Sequence, residues 1–149
     1  MRFLSNGPEE TFNCGFSLGS RLERGDVVCL YGDLGSGKTT FVKGVAAALG
    51  IPEAEITSAS FTIIAEYTGT ADGAPVPFYH IDLYRLHGVA ELDSTGIEEY
   101  IGRDGISVIE WAERLGGVEG SISVTFAIMT GDRREITIEG MDETDRDNM

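Results

Sequence analysis

Hydrophobic residues recur with helical spacing in some segments of the chain and with strand-like spacing in others. In the segment PEETFNCGFSLGSRL, Phe12 and Phe16 lie near helical spacing, acids occupy the first turn, and Gly25 follows the end. This pattern predicts an amphipathic helix. The continuous apolar run DVVCLYG then has the length of a buried strand, and TTFVKGVAAALG contains helix formers up to Gly50, where a second helix should end.

The second half of the chain contains mostly strand-like segments. The runs SFTIIAEY, VPFYHIDLY and ISVIEW predict strands, and turn residues in TGTADGAP predict a hairpin-like connection between the first two. GVAELDSTGIEEYIG predicts short helices, while SISVTFAIM and RREITIEG alternate as two antiparallel strands do. The order predicts a three-layer α/β sandwich whose mixed sheet is partly parallel near the glycine-rich loop that follows DVVCLYG and antiparallel toward one edge.

Size and charge limit the possible functions. A chain of 149 residues with 42% hydrophobic content suits one domain, which we expect to cover residues 1–140. Residues 141–149 predict an acidic, disordered tail. No apolar run approaches the roughly 20 residues that span a bilayer, so we expect a cytoplasmic protein that does not bind membranes. The net charge of -14 disfavours direct binding of RNA or DNA.

The cysteines and histidines predict no second catalytic centre. Cys14 and Cys29 lack metal-ligand spacing, and we expect buried thiols. His80 and His87 flank the segment DLYRL, and we interpret both as structural or partner-facing. The chain also shows no arrangement typical of a catalytic triad.

The stretch GDLGSGKTT carries the strongest chemical signal. Gly32, Gly37, Lys38 and Thr39 satisfy G-x-x-x-x-G-K-[ST], with a predicted strand before the loop and a predicted helix after it. Glycines allow backbone N–H groups to face an anion, and the helix N-terminus adds positive potential. The pattern therefore predicts a P-loop NTPase fold with the nucleotide at the carboxyl ends of the strands. The expected nucleotide contacts in this loop are Gly32, Asp33, Leu34, Gly35, Ser36, Gly37, Lys38, Thr39 and Thr40.

Two acids end predicted buried strands and are candidates for the chemistry beside the loop. Asp82 ends FYHID and Glu110 ends ISVIE. Nucleotide hydrolysis needs a metal ligand and a group that orients or deprotonates water, and Thr39 can add its hydroxyl to the Mg²⁺ shell. A helix cap or a surface ion pair is the alternative role for either acid. Ser60 lies where NTPases often sense the γ-phosphate, although it could also be an ordinary hydroxyl on a strand face.

The segments GDLGSGKTT, SASFTIIAEY, HIDLYRL, GIEEY and VIEWAER, in this order, resemble the TsaE (YjeE) family. This family is the ATPase subunit of the bacterial machinery for threonylcarbamoyladenosine in tRNA. The resemblance implies ATP and Mg²⁺ as ligands, with Lys38 at the phosphates and Thr39 and Asp82 at the metal. It also implies Glu110 in hydrolysis and Trp111 at the nucleotide, although Trp111 could also be a core residue.

The resemblance also implies what the hydrolysis serves. Partners would be TsaD-like and TsaB-like subunits, with tRNA held indirectly through the complex. One departure is that the family's Ser-Pro-Thr-Phe is Ser-Ala-Ser-Phe here, at residues 58–61. Without the proline, the backbone of this segment, which contains the expected γ-phosphate sensor Ser60, is less constrained.

Two alternatives to an ATPase remain. The first is a small-molecule kinase, which needs a lid with arginines. Arg85, Arg103, Arg133 and Arg134 are available for it, but the sequence contains no compact Arg-rich lid segment. The second is a nonenzymatic nucleotide sensor. GTP is disfavoured because the chain contains no N-K-x-D.

Overall fold

The computed structural model of the protein describes residues 1–56, 64–84 and 96–141. Within these ranges, seven strands form one sheet and two α-helices cover part of it. The strands are β1 (Arg2–Ser5), β2 (Val27–Tyr31), β3 (Ile64–Ala71), β4 (Ala74–Asp82), β5 (Ile106–Glu110), β6 (Ile122–Ile128) and β7 (Arg134–Glu139). The helices are α1 (Pro8–Gly19) and α2 (Lys38–Ala48), and short 3₁₀ turns span Glu53–Glu55, Ile97–Glu99 and Ala112–Leu115.

The sheet has the strand order β1-β7-β6-β2-β5-β4-β3. Strand β2 pairs in parallel with β6 on one side and β5 on the other, and β5 pairs in parallel with β4. The outer pairs β1–β7, β6–β7 and β3–β4 are antiparallel. The mixed sheet is therefore confirmed, but antiparallel pairing occurs at both edges, whereas the sequence predicted it at one.

The predicted hairpin between β3 and β4 is confirmed. Ala71 and Ala74 are paired, and the two residues between them, Asp72 and Gly73, have φ angles of 52° and 76°. Positive φ at both central residues is the property of a type I′ turn, whose twist matches that of the flanking strands. Asp and Gly are among the residues that tolerate this conformation.

Strand β1 was not predicted. It consists of four residues at the edge of the sheet and pairs with β7, whose residues lie about 130 positions later, as in the pair Arg2 and Thr137. The terminal amino group of Met1 also donates to the carbonyl of Ile138. This strand is held by partners distant in sequence, so a local pattern did not reveal it.

Helices α1 and α2 pack against one another on one face of the sheet at unusually close range. A Cβ on Gly15 of α1 would lie 2.1 Å from the carbonyl oxygen of Phe41, and a Cβ on Gly44 of α2 would lie 2.0 Å from that of Phe12. Only glycine permits backbones to approach this closely. The contact fixes the position of α2, and with it the loop from which α2 starts.

Apolar side chains fill both faces of the sheet. One cluster joins α1 and α2 to the sheet through residues such as Leu18, Phe41 and Leu30. A second cluster on the other face contains Cys29, Ile109 and the 3₁₀ turns that begin at Ile97 and Ala112. The predicted three-layer α/β arrangement is thus confirmed. Cys14 and Cys29 are free thiols, the first half-buried and the second buried.

Some predictions lie outside the described residues. They concern Ser60 and its neighbours in the segment 57–63, Arg85 and His87 in the segment 85–95, and residues 142–149 of the expected tail. Met141, placed in that tail from the sequence, is buried against the core. Neither described helix combines the length and hydropathy that crossing a bilayer requires.

Candidate functional site

The glycine loop lies at the carboxyl end of the central strand β2 and leads directly into α2. Three of its glycines have positive φ, namely Gly32 at 153°, Gly35 at 77° and Gly37 at 104°. A Cβ on Gly35 would meet no atom within 4 Å, so its backbone conformation, rather than crowding, favours glycine there. Positive φ at these glycines is the kind of backbone conformation in which a loop can turn N–H groups toward an anion.

Lys38, the first residue of α2, is buried with only 5% of its surface exposed. Its ammonium donates to the carbonyl oxygen of Gly32 and lies 3.5 Å from the centroid of the Trp111 ring. A cation over an aromatic face is attracted by the ring quadrupole. The side chain is therefore folded back toward the start of the loop, and its charge lies between the Gly32 carbonyl and the Trp111 ring.

Burial lowers the pKa of Lys38 from its ordinary value. The carboxylates of Glu110, Glu113, Asp82 and Asp33 act in the opposite direction, in that order of strength, because nearby negative charge favours the ammonium. An anion such as a phosphate would stabilise the charged form in the same way.

Thr39 and the two candidate acids meet beside this lysine. The Thr39 hydroxyl lies 3.3 and 3.4 Å from the two carboxylate oxygens of Glu110. Asp82 is the register partner of Glu110 on the neighbouring parallel strand, so both acids end their strands at the same edge of the sheet. The sequence predicted this convergence from the strand ends alone.

The environments of the two acids differ. Glu110 is buried, with 3% of its surface exposed, whereas Asp82 is half-buried. Burial raises the pKa of Asp82, and the Glu110 charge raises it further. The backbone N–H of Tyr84, which donates to Asp82 Oδ1 at 2.9 Å, and the charges of His80 and Lys38 lower this pKa. A carboxyl group in such a setting gains from a nearby divalent cation, because the cation stabilises its ionised form.

The backbone of Trp111 explains how its ring reaches Lys38. Trp111 has φ 60° and ψ 41°, a left-handed conformation at the end of β5 that costs a non-glycine residue roughly 1–2 kcal/mol. The indole also contacts the ring of Tyr84, with centroids 5.0 Å apart. Strained backbone of this kind occurs often at functional sites.

The residues at the end of the loop and at the neighbouring strand ends fit a magnesium–nucleotide ligand. Mg²⁺ prefers oxygen donors and usually keeps several waters, with one or two protein carboxylates, and Thr39, Asp82 and Glu110 supply such oxygens. Among the described residues, no group of three or more His, Cys, Asp or Glu side chains forms a self-sufficient metal site. Ser36 Oγ in the loop is buried, and no hydrogen-bond partner for it is present among the described residues.

A small cavity of about 120 Å³ adjoins the outer side of the loop. Its lining includes Gly35, Gly37, Thr40 and Thr11, together with Arg134. The Arg134 guanidinium donates to the carbonyl of Gly35 at 3.1 Å, so this arginine contacts the backbone of the loop.

Comparisons with known proteins decide the family. The sequence profile described as "Threonylcarbamoyl adenosine biosynthesis protein TsaE" matches residues 5–145. The chain belongs to the TsaE family. The TsaE protein of Treponema pallidum is 39% identical over 140 residues, covering 93% of this chain and 99% of that protein. The Bacillus subtilis TsaE protein is 37% identical over 139 residues, covering 92% of this chain and 84% of that protein.

The structural comparison agrees with the sequence relatives. The crystal structure of YdiB from Bacillus subtilis matches with a TM-score of 0.74 and 33% identity, covering 99% of this chain and 90% of the YdiB chain. The fold of this TsaE family member is that of a P-loop NTPase with a mixed sheet, as the sequence predicted. The family acts in the biosynthesis of threonylcarbamoyladenosine in tRNA.

Sequence reasoning missed one component of this TsaE site. His80, considered structural or partner-facing, is 2% exposed, so its side chain cannot face a partner. Its Nε2 lies 2.6 Å from Glu110 Oε2. The only available signal was a polar residue within a predicted buried strand, which by itself does not reveal the partner.

Proposed function

We propose that this chain is an ATPase that binds ATP with Mg²⁺ in the glycine loop and hydrolyses it. The observation that carries the proposal is the environment of Lys38, whose buried ammonium lies between the Gly32 carbonyl and the Trp111 ring. A buried charge is costly unless it is paired. Phosphate oxygens are charged acceptors suited to this position, and lysine commonly binds phosphate as a point charge.

The remaining roles follow from chemistry and proximity. Thr39 and Asp82 would hold Mg²⁺, which when bound neutralises charge on the phosphate oxygens. Glu110 would orient or deprotonate the attacking water, and Ser60 would sense the γ-phosphate. The loop residues from Gly32 to Thr40 would bind the phosphates through backbone N–H groups, and Trp111 would border the nucleotide.

We further propose that hydrolysis drives a step of the threonylcarbamoyl-transfer complex. Its partners would be TsaD-like and TsaB-like subunits in the cytoplasm, and tRNA would contact those subunits. The net charge of -14 supports this division, because an acidic surface repels a polyanion. Residues 1–140 would form a single ATPase domain, since β1 and β7 pair in one sheet, followed by an acidic tail.

The test is phosphate release by the purified protein, with and without both partner subunits. We expect turnover that requires Mg²⁺ and rises when both partners are present. Turnover that the partners leave unchanged would contradict a role in driving their cycle. Labelled phosphate on a metabolite would instead identify a kinase, and Glu110→Gln protein that supports tRNA modification in cells without turnover would identify a sensor.

A further inference from the structure

His80 and Glu110 form a buried polar pair on neighbouring strands. The two residues are 2% and 3% exposed, and Nε2 of the imidazole is 2.6 Å from Oε2 of the carboxylate. An ionised carboxylate has only acceptor atoms, so the ring N–H is the donor. Such charge-assisted hydrogen bonds are short and stronger than neutral ones.

The register places the pair next to the loop rather than deep in the core. His80 is paired with Val108, two residues before Glu110, while Asp82 is paired with Glu110 itself. Alternate residues of a strand face the same side of a sheet, so His80, Asp82 and Glu110 share the face on which α2 lies. His80 therefore contacts Glu110 from the interior of the sheet, on the side opposite the carboxyl end of β5.

The carboxylate of Glu110 is contacted from two sides. His80 binds Oε2, and the Thr39 hydroxyl lies within 3.4 Å of both oxygens. The terminal torsion of a glutamate is broad and weakly restrained by itself. A hydrogen bond to one oxygen from a buried ring restricts that rotation and limits where the other lone pairs lie.

We infer that His80 is a positioning residue that holds the Glu110 carboxylate in its orientation beside Thr39. The inference rests on the proposed function, since Glu110 is given its role in hydrolysis there. Buried groups that support a reacting side chain are required to keep it within a fraction of an ångström of its productive place. His80 contacts neither nucleotide nor water in this role and acts through Glu110 alone.

The experiment compares His80→Met, which has no N–H donor, with His80→Gln, which keeps a donor of similar reach. We expect His80→Met to lower kcat for partner-stimulated ATP hydrolysis by about 10- to 100-fold, as misplacement near 1 Å does. The nucleotide Kd, followed through fluorescence of the single Trp111, should change less than about twofold. His80→Gln should recover most of the rate.

The double variant with Glu110→Gln separates positioning from a general structural role. If His80 acts through Glu110, His80→Met should lower kcat no further in the Glu110→Gln background. If the kcat losses of the two single variants multiply in the double variant, the inference is overturned. A kcat that His80→Met leaves unchanged in folded protein would also overturn it. If His80→Met does not fold, His80→Asn, whose amide is too short for the same reach, takes its place with the same expectations.

A crystal structure of the His80 variant provides a readout that does not depend on activity. The Glu110 carboxylate should turn away from Thr39, beyond hydrogen-bond distance. A carboxylate that stays in place overturns the positioning role, whatever the ATPase assay gives. Absence of turnover in the wild-type protein with both partners would contradict the proposed function, while the crystallographic result would still decide the role of His80.

Discussion

The close contact of α1 with α2 predicts that Gly44→Ala destabilises the protein. In an ordinary exposed helix, this change stabilises by up to about 1 kcal/mol because alanine is the better helix former. Here the added Cβ would lie 2.0 Å from the carbonyl oxygen of Phe12 and 2.9 Å from the amide nitrogen of Phe16. Both atoms belong to the backbone of α1, so no side-chain rotation can relieve the overlap.

The magnitude follows from the displacement that is needed. Carbon and oxygen atoms in contact lie beyond about 3 Å, so α1 would have to move by roughly 1 Å. Overpacking a core typically costs 1–3 kcal/mol, occasionally more, and backbone overlap belongs at the upper end. After the helix-propensity gain, we expect a net loss of about 2 kcal/mol. For a protein of this size, that corresponds to a Tm lower by about 4–8 °C.

Thermal and urea unfolding of Gly44→Ala measure this loss, with Gly7→Ala as a matched control. Gly7 precedes α1, and a Cβ there would meet no atom within 4 Å. Its φ of 175° is extended backbone that any residue adopts, so the control should change stability by less than about 1 kcal/mol. A Gly44→Ala protein as stable as the wild type, or more stable, would refute the close approach of the two helices.

Four further outcomes are expected. Lys38→Ala should raise the nucleotide Kd by about 10- to 100-fold, because hydrogen bonds to charged groups contribute about 1.5–3 kcal/mol. The control Lys43→Ala, on the same helix, should leave the Kd unchanged, and equal Kd values for both variants would contradict the role of Lys38. Asp82→Asn should raise the Mg²⁺ concentration for half-maximal turnover by about tenfold, whereas Glu110→Gln should mainly lower kcat, by about 100-fold. An equal shift in Mg²⁺ dependence for Glu110→Gln would make Glu110 a metal ligand as well, as its contact with Thr39 permits. Burial raises the pKa of Cys14 to about 11, against 9.0 for the unfolded chain, so its thiolate fraction at pH 8 should be about 100-fold lower in the folded protein. Thiol labelling of Cys29→Ser protein should be slower than that of the unfolded chain by the same factor, and equal labelling rates would exclude this shift.

The central part of the fold was predictable because its signals are local. The run DVVCLYG, the glycine loop and the helix formers after Lys38 are contiguous, and each has one dominant interpretation. The positions of Asp82 and Glu110 at one edge of the sheet were equally predictable, since parallel strands bring their carboxyl ends to the same edge. The roles of these acids stay predictions until the variants are measured.

The features that were missed depend on residues far apart in sequence. Strand β1 is defined by its pairing with β7 at the other end of the sequence. The burial of His80 is explained only by Glu110, which lies 30 residues later on another strand. A pattern read over ten or fifteen residues contains no information about such a partner.

Trp111 has a consequence for the free energy with which an anion could bind at Lys38. A lysine on a solvent-exposed loop samples many rotamers and loses up to about 2 kcal/mol of side-chain entropy when it is immobilised. Because the indole and the Gly32 carbonyl already hold the Lys38 ammonium, most of that entropy is lost during folding. The arriving phosphate therefore meets a fixed charge, and less of its binding free energy is spent on ordering the protein.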